Sequence, residues 1–181
     1  FNVMIMLFLS FISLWTFTLT DTGRLIRDKI FLKIPIFGSI IKQNILSKFC
    51  KTFGILISSG VSVMDAMELV IKVVNNRVYE IAIKDATKAI ENGISISESL
   101  KNTRVFPPIM IQLFSTGEET GEIDNLSLKA SDFYTKQVNA SVDRLTSLIE
   151  PLLIILVGIV IGGVIIVTYL PIFQVGAAIA N

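Results

Sequence analysis

The sequence has no histidine, which excludes histidine-based catalytic triads, histidine zinc sites and imidazole proton shuttles at once. A single cysteine, Cys50, excludes an internal disulfide and any multi-cysteine metal centre. It reads as a small apolar core residue in preference to a reactive thiol. Neither a G-x-x-x-x-G-K-[ST] phosphate loop nor a G-x-G-x-x-G fingerprint occurs, so the chain is not a nucleotide-driven motor by those routes. In the central region no Val, Ile or Thr run alternates with polar residues between turn signals, which argues against strands. The net charge of +1 gives no field suited to a polyanion, and nucleic acid is not an expected partner.

Charge is also missing from both ends of the chain. All 16 basic and 15 acidic residues lie between Asp21 and Glu150, although 52% of the chain is hydrophobic. A hydrocarbon core of about 30 Å needs about 20 helical residues. Phe1–Thr20 and Pro151–Leu170 each supply that length without a charge, so two membrane spans are expected, over 1–20 and 150–171. The first run lacks the basic n-region and small-residue cleavage site of a signal peptide. Because the chain opens on Phe1 inside an apolar run, it is expected to be part of something longer. Arg24, Arg27, Lys29 and Lys33 follow the first run, and Lys136 and Arg144 precede the second. By the positive-inside rule the middle of the chain faces the cytoplasm and the tail 172–181 lies outside it.

That middle reads as an all-α, antiparallel bundle of about six helices over 45–149, preceded by a juxtamembrane arm over 21–44. The arm mixes basic and apolar residues around Pro35 and Gly38, and either lies on anionic headgroups or is a solvated connector. The spacing of Phe49, Phe53, Leu56 and Ile57 predicts a helix over Leu46–Ser58 that stops at Gly60. Ser62 with Asp65 forms a capping box for a helix to about Val74, with Ala66, Met67, Val70 and Val74 on one stripe. A third helix is expected over Arg77–Glu91, ending at Gly93. A second box, Ser95 with Glu98, opens a short helix to about Asn102, so the two corners repeat one helix–turn–helix chemistry. Pro107 and Pro108 suit the first turn of a helix to about Phe114 or Ser115. From Glu122, the positions Ile123, Leu126, Ala130, Phe133, Val138, Val142, Leu145 and Leu148 keep a 3–4 spacing towards the second span, with Pro151 tolerated as a kink.

Three groups of residues are candidates for function. Gly117, Glu118, Glu119, Gly121, Glu122 and Asp124 form an acidic, glycine-bracketed segment. It reads as a helix elbow with a partner-docking surface, as an elbow alone, or as paired carboxylates for a cation or for catalysis. Gly158 and Gly162, with Gly163 beside them, make a small-residue face for close helix packing in the membrane. Glu150 and Pro151 sit at the interface, where the carboxylate reads as an anchor in preference to an ion site.

Seven segments, IPIFGSI (34–40), KFCKTFGILISSGVSVMDAMELV (48–70), ENGISISESL (91–100), FPP (106–108), GEETGEIDNL (117–126), EPLLII (150–155) and YLPIF (169–173), fall in an order that resembles the type II secretion system F family. These are inner-membrane platform proteins of secretion systems, type IV pili and DNA-uptake pseudopili. The resemblance implies two six-helix cytoplasmic bundles and three spans in the whole protein, of which this chain is the second bundle with its flanking spans. It further implies a multi-pass protein of the bacterial inner membrane that is not an enzyme and has no cofactor. Such a platform couples a cytoplasmic assembly ATPase to extraction of pilin or pseudopilin subunits, and contacts other inner-membrane assembly components, further copies of itself and membrane lipid. No metal site is carried across. The competing reading is a small membrane transport or channel subunit, against which the absence of charge inside either apolar run argues.

Overall fold

A computed structural model describes residues 20–179 of the chain. Apart from Thr20, the first expected span lies outside the described residues. Among them are seven helices and no strand, in accord with the all-α expectation. They are α1 (Asp21–Phe31), α2 (Phe37–Ser58), α3 (Val63–Val74), α4 (Arg77–Glu91), α5 (Ile96–Asn102), α6 (Pro108–Thr120) and α7 (Ile123–Ile179).

The breaks between helices follow local chemistry. Helix α2 ends in a Schellman turn: Gly60 has φ +80°, Gly60 N–H donates to Ile57 O at 2.9 Å, and Val61 N–H donates to Leu56 O at 3.0 Å. Helix α4 ends the same way at Gly93, φ +86°, with Ile94 N–H donating to Ala89 O at 3.1 Å. Ser62 and Ser95 then cap α3 and α5 by accepting from Asp65 N–H and Glu98 N–H, each at 3.2 Å. Asn75 stops α3 in the left-handed region, and the side chain of Asn76 opens α4 by accepting from Val78 N–H at 3.1 Å. Pro108 occupies the first turn of α6.

Two helices are longer than the sequence spacing predicts. The α2 helix begins at Phe37, not Leu46, because Pro35 precedes it and Gly38 fits its first turn. A Cβ on Gly38 would lie 2.5 Å from the carbonyl oxygen of Leu32, a close approach that only glycine permits. The α6 helix continues through Gly117–Glu119 to Thr120, so the acidic segment is mostly helical and the turn shrinks to Gly121 and Glu122.

Two compact units result, one reaching Asn139 and one starting at Ala140, and α7 contributes to both. In the first, Phe49, Phe53, Phe114, Met67, Ile83, Leu100, Met110, Val70 and Cys50 are fully buried. Phe49 sits 5.3 Å from Phe106, 6.0 Å from Phe53 and 6.0 Å from Phe114 between ring centroids, and Tyr79 meets Phe106 edge-on at 5.7 Å. Each such side chain contributes on the order of 1.5–3 kcal/mol by burial, and the ring pairs add to it. Burial also pushes the Cys50 thiol well above its ordinary range, an effect that outweighs an opposing backbone hydrogen bond.

The inward face of α7 differs from the expected one by a rotation. Ser127, Ala130, Ser131 and Tyr134 are buried, while Phe133 is exposed. Small residues face α2 because the two helices approach closely. Ser131 Oγ donates to Ser47 O at 3.1 Å, and a Cβ on Gly54 would lie 3.0 Å from Asp124 O and 3.0 Å from Leu128 Cγ. Periodicity alone favoured the large apolar ring, whereas helix separation favours serine and alanine.

In the second unit α7 is apolar and uncovered, with Ile154 67% and Ile159 70% exposed. Among the described residues it is the one helix long and apolar enough to cross a membrane, and none of its most apolar stretch is buried.

Candidate functional site: the acidic elbow

The elbow is the junction of α6 and α7. Gly117 allows them to meet, since a Cβ there would lie 2.8 Å from the Cα of Ile123. Gly121, φ +74°, reverses the chain, and a Cβ there would meet nothing within 4 Å, so its requirement is conformational alone.

The four carboxylates part company here. Glu118 turns inward to the N-terminus of α5. Its carboxylate accepts from Ile96 N–H, from Ser97 N–H at 2.9 Å and from Ser97 Oγ. It therefore satisfies the donors that Ser95 leaves free and sits at the positive end of the α5 dipole. Glu119 and Glu122 point outward and are exposed, with Glu119 Oε1 accepting from Ser115 Oγ at 3.1 Å. Asp124 is half-buried in the first turn of α7. Among the described residues none of the four is ion-paired, and no group of three His, Cys, Asp or Glu is disposed to hold a metal ion. The elbow thus has a structural inner half of Gly117, Glu118 and Gly121, and an acidic outer half of Glu119 and Glu122.

The remaining candidates lie on the uncovered part of α7. Glu150, Pro151, Gly158 and Gly163 are exposed and Gly162 half-buried, and a Cβ on any of the three glycines would meet nothing within 4 Å.

Sequence spacing missed a second carboxylate clamp. Asp28, only 8% exposed, accepts from the backbone N–H of Arg77 at 2.8 Å and from the Arg27 guanidinium at 3.1 Å. It fastens α1 to the start of α4. Arg77 pairs with Glu80 at 2.7 Å and reaches Asp21 at 3.8 Å, and Lys84 pairs with Glu80 at 3.1 Å. Burial raises the Glu80 carboxyl, but the hydrogen bonds and charges of Arg77 and Lys84 outweigh it and hold the group below its ordinary range. The available signal was an acid, Asp28, set between the basic residues Arg27 and Lys29.

Residues 49–171 match the family described as type II secretion system (T2SS), protein F, and the chain belongs to that family. It is 40% identical to the type IV pilus assembly protein PilC of Myxococcus xanthus (strain DK1622) over 157 residues, 87% of this chain and 38% of that protein. It is 34% identical to the Pseudomonas aeruginosa PilC over 149 residues, 82% of this chain and 40% of that protein. The type II secretion system protein F of Pseudomonas aeruginosa is 27% identical over 143 residues, 79% of this chain and 35% of that protein. The chain spans less than half the length of these relatives.

Proposed function

We propose that this chain is part of a non-enzymatic platform in a bacterial inner membrane, with its helical bundle in the cytoplasm. There it couples an assembly ATPase to the extraction and polymerisation of pilin or pseudopilin subunits. The observation that carries the reading is the family match across 49–171, which takes in both the bundle and the apolar part of α7. The names of the relatives, pilus assembly and type II secretion, point to the same kind of machine. One helix shared by a packed bundle and an apolar segment suits a part that passes displacement from a motor to the membrane without catalytic residues. Glu119 and Glu122 offer a basic partner an acidic surface at the corner, the partner being the ATPase or a second copy. Gly158, Gly162 and Gly163 offer another membrane helix a small-residue face, and Glu150 with Pro151 marks its boundary.

Topology provides the test. With Cys50 replaced by serine, Lys88→Cys resists a membrane-impermeant thiol reagent in intact cells, and a cysteine near Asn181 reacts. The reverse pattern overturns both the orientation and the coupling to a cytoplasmic motor.

A further inference from the structure

The α1 helix presents two faces of different character. On one, Asp28 and Leu32 are buried, and Asp28 is clamped to the amide of Arg77 at 2.8 Å. The opposite face carries Ile26 and Ile30, 45% and 58% exposed, and the following turn adds Ile36 and Phe37, 49% and 57% exposed. Lys29 and Lys33, also exposed, flank this apolar strip at i, i+4 spacing. No acid shares the face, because Asp28 is buried on the far side and Asp21 reaches towards Arg77. Over α1 and the α1–α2 turn, Ile26, Ile30, Phe31, Ile36 and Phe37 and the two lysines are left uncovered.

The uncharged run 1–20 ends where α1 begins, at Asp21. A helix that leaves a membrane span at this point starts in the headgroup region. Apolar residues flanked by lysines match that region: the apolar side chains enter the acyl boundary and the lysines meet anionic headgroups.

We propose that the outer face of α1 and the α1–α2 turn, Ile26, Lys29, Ile30, Lys33, Ile36 and Phe37, is a membrane-contact surface that lies on an anionic bilayer. Through the Asp28–Arg77 clamp it fixes the height and tilt of the first unit above the lipid. A bundle held in this way moves with the bilayer surface as a body. The inference rests on the membrane placement of residues 1–20 given above and adds a second, non-spanning attachment.

The test uses the full chain reconstituted into vesicles of phosphatidylcholine with phosphatidylglycerol, with Cys50→Ser and one fluorescent thiol label at a time. Labels replace Ile30, Phe37, Lys84 on the exposed side of α4, and Val160 in the apolar part of α7. Brominated lipids quench from within the bilayer and iodide from the water. The surface predicts strong quenching at 30 and 37 by bromines placed roughly 5–10 Å below the headgroups, shielding from iodide, and the opposite at 84. Lys29→Glu with Lys33→Glu abolishes most of the lipid quenching at 30 and leaves 160 unchanged. Quenching at 160 with iodide-accessible, lipid-silent labels at 30 and 37 overturns this inference alone. Shielding from iodide at 30 without lipid quenching also overturns it, because protein then covers the face. Absence of lipid quenching at 160 overturns the membrane reading itself.

Discussion

The corners at Gly60–Asp65 and Gly93–Glu98 are near copies in local chemistry and opposites in tertiary support. Each has a glycine at positive φ, a Schellman turn and a serine cap accepting at 3.2 Å. Helix α3, opened by the first, has 12 residues and buries Ala66, Met67, Val70 and Val74. Helix α5, opened by the second, has 7 residues and buries two apolar side chains, Ile96 and Leu100. So short a helix is unstable by itself, and Glu118 from α6 holds its first amides. Among the described residues no side chain from another helix reaches the amides of Val63 and Met64. The same local signal suffices for a long amphipathic helix and needs a long-range carboxylate for a short one.

The largest effect that would test this comparison is Glu118→Ala. Several donors to a half-buried carboxylate lose their acceptor, and the first unit is expected to lose about 2–3 kcal/mol. The buried Cys50 is a built-in reporter, because its labelling rate along a urea series in detergent measures opening of that unit. Faster amide exchange at Ile96 and Ser97 localises the loss. An effect no larger than that of Ser62→Ala would break the comparison.

Next come the serines themselves. Ser62→Ala and Ser95→Ala each remove one cap and are expected to lose about 1 kcal/mol by the same assay. In a Glu118→Ala background the loss at Ser95 grows while that at Ser62 stays fixed, since only the former shares a helix start with Glu118. Equal behaviour of the two serines would show that the clamp does not act on α5.

A smaller effect concerns the carboxylate at the start of α4. The folded Glu80 carboxyl is held below its ordinary value, so its stabilising contribution is present above about pH 4.3, the ordinary glutamate value, and fades as pH falls through the folded value. The stability gap between the wild-type chain and Glu80→Gln therefore narrows on acidification. A gap constant from pH 7 down to pH 3 would show that Arg77 and Lys84 do not favour the ionised form.

The smallest effect on folding is expected for the outer half of the elbow. Glu119→Lys with Glu122→Lys changes stability by less than about 0.5 kcal/mol, as exposed substitutions away from packing do. Association with a basic partner should nevertheless fail at low salt, and wild-type association should weaken as salt rises. Binding unchanged at every salt concentration moves the docking surface elsewhere on the bundle.

Local signals were legible where the physics is local. Caps at i, i+3, glycine stops and the stripe Ala66, Met67, Val70 and Val74 each concern neighbours within one turn, and the helices around them were readable from spacing. Errors arose where a distant backbone intervened. The start of α2 at Phe37 was read as part of the arm because the close approach of Gly38 to the Leu32 carbonyl exists only in the folded turn. Phe133 took the inward position in the sequence reading because the close approach of α2, set by Gly54 and Ser47, was invisible there. Of the candidate elbow, the turn at Gly121 was legible, while the division of its acids into inner and outer halves was not.

By itself the sequence determined that the chain is helical, that charge is confined to its middle, and that histidine and multi-cysteine chemistry are absent. These follow from composition and from periods of a few residues. Only the tertiary structure decided that Glu118 caps a helix start 22 positions away and that Asp28 caps one 49 positions away. A helix start exposes unpaired amides that any acceptor of suitable reach can satisfy. Which acceptor does so depends on how the helices pack, and no local pattern carries that information.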